Sequence, residues 1–75
     1  MGVEDVRRFV LERSEDISGV SGVGTVAAGV RFVDGKAAVQ WCVGEHRSTS
    51  LWDSIEALEA IHGHDGKTVV RWLDE

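Results

Sequence analysis

The sequence predicts a small α+β domain, a mostly antiparallel sheet of four to five strands with one short helix on its apolar face. Three observations lead there. Two runs with apolar residues at alternate positions flank Asp34-Gly35, a helical stripe follows a capping pattern after Trp52, and a further alternating run ends the sequence. The order along the chain is strand, strand, strand, helix, strand, and residues 1–75 form one domain. There is no proline, internal repeat or low-complexity tract to mark a boundary.

The first element is "RRFVLER", residues 7–13. Val3, Val6, Phe9 and Val10 also fit a helical stripe, but the strand is preferred, with Phe9 and Leu11 inward and Arg8 and Glu12 outward. The next stretch, "SEDISGVSGVG", is rich in serine and glycine and reads as a long loop. A hairpin follows. From Thr25 to Val33 the apolar positions are Val26, Ala28, Val30 and Phe32, and from Lys36 onward they are Ala37, Val39, Trp41 and Val43. Asp-Gly is favoured in a two-residue type I′ loop, which needs positive φ twice. That loop makes Val33 face Lys36 and pairs Phe32 with Ala37, Val30 with Val39, Ala28 with Trp41 and Val26 with Val43. Arg31, Lys36 and Gln40 then lie on the polar face.

Beyond the hairpin, "STSLW" adds a short strand and "DSIEALEAIHG" a helix. Asp53 suits the N-cap with Glu56 three residues on; Ile55, Leu58 and Ile61 form the buried stripe; Gly63 suits a left-handed residue past the end. In "TVVRWLD", Val70 and Trp72 share one face and Val69, Arg71 and Leu73 the other, which suggests cover on both sides.

Size and charge narrow the function. A chain of 75 residues buries only about 60% of its unfolded surface, so a second copy, as a homodimer, is a natural source of extra stability. The single cysteine, Cys42, excludes an intrachain disulfide, and no stretch approaches the length of a membrane span, so a cytoplasmic protein is expected with no membrane partner. Thirteen acidic against eight basic residues leave a net charge of −5, which opposes attraction to nucleic acid.

The chemistry-bearing string is "IHGHDGKT", residues 61–68. It ends like a phosphate loop, but the glycine required five residues before Gly66 is Ile61, and the segment leaves a helix C-terminus, whose partial charge repels anions. Gly19, Gly22 and Gly24 run G-x-x-G-x-G, the dinucleotide spacing reversed, and lead into a strand; a connecting loop is the simpler account. His62, His64 and Asp65 supply donors for zinc or another divalent ion, with Cys42 and His46 as further ligands; the competing role for them is capping and turning. Ser48, Ser50 and Ser54 make no catalytic constellation with these histidines, so no enzyme and no required cofactor are expected. Arg8, Arg31, Lys36 and Arg71 form a basic stripe on the outward sheet face.

"FVLERSEDISGVSGVGTVAAGVRFVDG", "VQWCV" and "HGHDGKT" with "VRWLD" resemble a group of short proteins of actinobacteria, haloarchaea and their viruses. In that group S-G-T-G usually stands where this chain has Ser21-Gly22-Val23-Gly24, so a threonine hydroxyl is missing here. The resemblance implies a common fold but no activity, substrate or partner. It further suggests that the glycine loop and the His-Gly-His turn share one end of the sheet.

The function expected from these observations is a small non-enzymatic interaction or accessory module. Its contacts would be an exposed sheet edge, the glycine loop at Gly19, Gly22 and Gly24, or the outward arginines. Divalent-metal binding is the first alternative, and weak nucleic-acid or nucleotide binding the second.

Overall fold

A computed structural model describes residues 5–14, 24–42, 47–63 and 66–74. Its elements are β1 (Arg7–Arg13), β2 (Gly24–Arg31), β3 (Ala37–Trp41), β4 (Ser48–Trp52), α1 (Ile55–His62) and β5 (Thr68–Trp72). The strands form one antiparallel sheet in the order β4-β3-β2-β1-β5. The first four strands meander, and the helix carries the chain from one edge to the other. This is the expected α+β architecture.

The inner face packs against α1. Phe9, Leu11, Val26, Ala27, Ala37, Val39, Ile55 and Leu58 are buried there, with Trp41, Trp52, Val70 and Trp72 packed around them. Small side chains at Ala27, Gly29 and Ala37 leave room for large neighbours, notably the Phe9 ring lying over Gly29. Between Leu11 and Glu12 the β1–β2 register shifts, because Val26 is an extra residue in β2. That bulge lets Val26 and Ala27, though adjacent, both be buried.

The hairpin departs from its expected register. Phe32 N–H donates to the Lys36 carbonyl at 2.7 Å and Gly35 N–H to the Phe32 carbonyl at 3.0 Å, so the loop is Val33-Asp34-Gly35, three residues and not two. Gly35, at φ 94, supplies the single left-handed position that a three-residue loop requires. Asp34 secures the loop by accepting from Lys36 N–H at 3.0 Å, and that bond holds its carboxyl below its ordinary value. The extra residue moves each β2 partner by one: Ala27 faces Trp41, Gly29 faces Val39 and Arg31 faces Ala37. Arg31 therefore comes to the helix side, while Ala28, Val30 and Phe32, expected in the core, share the parity of the opposite face.

The helix ends also differ in detail. Ser54, not Asp53, is the N-cap, its hydroxyl accepting from Ala57 N–H at 3.0 Å. Gly63 is right-handed, at φ −71, and donates to the Glu59 carbonyl; the left-handed glycine is Gly66, at φ 87. Gly63 O then accepts from both Gly66 and Thr68, which turns the chain into β5. Ile61 stands to one side of the line through Ile55, Leu58 and His62 and is 63% exposed. Val69 on β5 and Leu73 just after it are about half exposed, so the outer side of this segment is not covered as expected.

A clasp joins the end of the chain to β1. Both Asp74 carboxylate oxygens accept from the Arg8 guanidinium, and Oδ2 also accepts from Arg8 N–H. Chiefly the guanidinium bonds, and then the backbone bond, lower the Asp74 carboxyl from 3.8 to about 2. A depressed carboxyl stabilises the fold fully above its unfolded value and loses that contribution as pH falls from 3.8 towards about 2. Asp74→Asn should therefore show a smaller fall in urea midpoint across that pH window than the parent protein.

Candidate interaction surface

The same alternation that builds the core leaves a second apolar surface. Val10, Ala28, Val30, Ala38 and Leu51 point away from α1, and among the described residues no helix or strand lies over them. Across the strands Leu51 faces Ala38, Ala38 faces Val30, and Ala28 faces Val10, so the residues form a continuous patch. Leu51 is 79% exposed and Phe32, beside it at the hairpin end, 42%. A shallow groove of about 310 Å³ opens there, lined by Phe32, Lys36, Ala37, Leu51, Trp52 and Asp53.

Three of the four residues of the expected basic stripe are paired with acids. Arg8 pairs with Asp74, Arg71 with Glu12 and Lys36 with Asp34. Of the expected stripe, Arg8 and Arg71 lie on the outer face, Lys36 follows the hairpin turn, and Arg31 lies on the helix side, donating to the Phe32 carbonyl at 3.5 Å. The outer surface is therefore an apolar centre bordered by internally neutralised ion pairs. Such a border adds little energy but limits which surfaces can dock.

On the inner side, the His62 ring packs against Trp41 and Trp52, with centroids 4.7 and 5.3 Å apart. Ser50 Oγ accepts from both indoles, from Trp52 Nε1 at 2.9 Å and from Trp41 Nε1 at 3.3 Å. Ser50 and Ser54 thus serve in packing and capping. Cys42 is exposed, its thiol directed at the Gln40 carbonyl. His46, His64, Asp65, Gly19 and Gly22 lie outside the described residues. Among the described residues no cluster of three or more His, Cys, Asp or Glu side chains could hold a metal ion.

The segments flanking the glycine loop and the histidine turn do meet. Ser14 N–H donates to the Lys67 carbonyl at 2.8 Å, and Ser14, Gly24, Gly66 and Lys67 border one open cleft of about 320 Å³. Ala28, Val30 and Phe32 leave the core stripe that the sequence predicts because the loop length sets their parity. Gly35 was the available signal, since Asp-Gly suits a three-residue loop as well as a two-residue one.

Fold and surface together define a two-layer α+β domain in which the described residues leave one face of the sheet open. The chain belongs to the Acb5 phage protein family, which matches residues 6–74. No curated protein and no solved structure matches it. Among the described residues no helix is long and apolar enough to cross a membrane.

Proposed function

We propose that this phage-family protein is a small non-enzymatic interaction module that binds a protein partner through the outer face of its sheet. The observation that carries this reading is the contiguous patch of Val10, Ala28, Val30, Ala38 and Leu51, which α1 leaves uncovered. An apolar patch rimmed by polar groups gains free energy when a partner removes it from water. The net charge of −5 supports a protein partner over a nucleic acid.

A photo-crosslinker at exposed Ala28 should capture a protein partner in the phage host, and the purified pair should bind saturably. Ala28→Glu should weaken that binding about tenfold or more by placing a charge in the contact, while the thermal midpoint stays within a few degrees. Unchanged affinity in Ala28→Glu and in Val30→Glu would remove the outer face from consideration.

A further inference from the structure

We infer that β4 pairs antiparallel with β4 of a second copy, joining two five-stranded sheets into one of ten strands. The inference rests on the interaction-module reading but concerns a different part of the sheet, its β4 edge. Among the described residues that edge has no neighbouring strand. Edge strands usually carry charge, proline or a bulge that discourages pairing with another chain. Ser48-Thr49-Ser50-Leu51-Trp52 has no charged residue and no proline, and its pairing with β3 is regular over all five positions. The other edge differs, since β5 carries Arg71 in an ion pair with Glu12.

The residues bounding β4 indicate the occupant. Exposed Arg47 precedes the strand and exposed Asp53 follows it, each three positions from Ser50. A two-fold axis at Ser50 places Ser50 opposite its own copy, Thr49 opposite Leu51, Ser48 opposite Trp52 and Arg47 opposite Asp53 of the second copy. Both ends of the paired strands then bring opposite charges together. A parallel alignment in register would instead set Arg47 against Arg47 and Asp53 against Asp53, which costs energy. The strand is thus complementary to itself in the antiparallel sense, as a two-fold contact requires. Pairing also gives Leu51, 79% exposed in the single chain, a cross-strand neighbour.

Two five-residue strands overlap over only about 17 Å, so the contact belongs with small, reversible interfaces. Sedimentation equilibrium of the full chain from micromolar to millimolar concentration should show a monomer passing into a dimer. Arg47→Glu and Asp53→Arg, each alone, should weaken dimerisation about tenfold, because each turns both attractive pairs into repulsive ones. The double variant Arg47→Glu/Asp53→Arg should recover dimerisation, with thermal melts confirming that all three variants fold. A monomer at millimolar concentration, or single variants that dimerise as well as the parent, would overturn the inference. So would a double variant that stays as weak as the singles. A monomeric protein that still loses its partner through Ala28→Glu would refute self-pairing alone. A dimer indifferent to Ala28→Glu, with no host protein captured at position 28, would refute the outer-face reading alone.

Discussion

Phe9→Ala is expected to destabilise the fold by about 3–5 kcal/mol, measured by urea denaturation. Phe9 is only 1% exposed and sits on β1, the strand that joins β2 to β5. Its ring covers Gly29 on one side and meets the Trp72 ring edge-to-face on the other, with centroids 5.4 Å apart. Truncation removes both contacts and leaves a cavity that flanking strands, held by backbone hydrogen bonds, close only in part. A domain of this size has a total stability of about 4–11 kcal/mol, so this one change takes a large share of it or all of it. A loss below about 1 kcal/mol would mean that Phe9 is not the centre of the core.

Gly29→Ala is expected to destabilise the fold although it adds only one methyl group. A methyl group there would stand 2.6 Å from Phe9 Cζ and 2.7 Å from the Ala38 carbonyl oxygen. The ring can rotate away at some cost, but the carbonyl belongs to the neighbouring strand and cannot. Strain of this kind typically costs about 1–3 kcal/mol. Combining Gly29→Ala with Phe9→Leu separates the two contacts. The second change should relieve the clash with the ring and leave the clash with the backbone, so the double variant should lose less than the sum of the two single losses. Strict additivity in urea denaturation would show that Phe9 does not pack on Gly29.

Both residues show how far the sequence could be read. Phe9 and Leu11 alternate with Arg8 and Glu12 in a strand that spans residues 7–13 as expected, because a half-buried strand shows its two faces directly. The 55–58 spacing likewise marks the helix face that reaches the core. The hairpin was legible as a hairpin but not in register. One more residue in the loop exchanges the faces of β2, and the apolar residues at 26, 28, 30 and 32 looked like a core stripe. The bulge at Val26 hid the change further, because it lets one residue of that stripe remain buried after the others have turned outward.

The candidate surface was less legible for the same reason. Arg8 and Arg71 were expected outward and lie there, yet their neutralisation by Asp74 and Glu12 joins residues more than fifty positions apart in the chain. The two indoles that share Ser50 Oγ likewise come from different strands. Neither arrangement leaves a local periodic trace.

What the sequence determined by itself is the set of elements: strands where alternation has period two, a helix where it has the helical period, and a turn at Asp34-Gly35. These follow from backbone geometry and local burial, which depend on near neighbours in the chain. What the tertiary structure alone decided is which side of β2 meets the helix, and therefore which apolar residues form the core and which form the open surface. That choice depends on the fit of Phe9 over Gly29, on the three-residue loop and on the Val26 bulge. The first and last are relations between strands that no single stretch of sequence contains, and Asp-Gly suits both a two- and a three-residue loop.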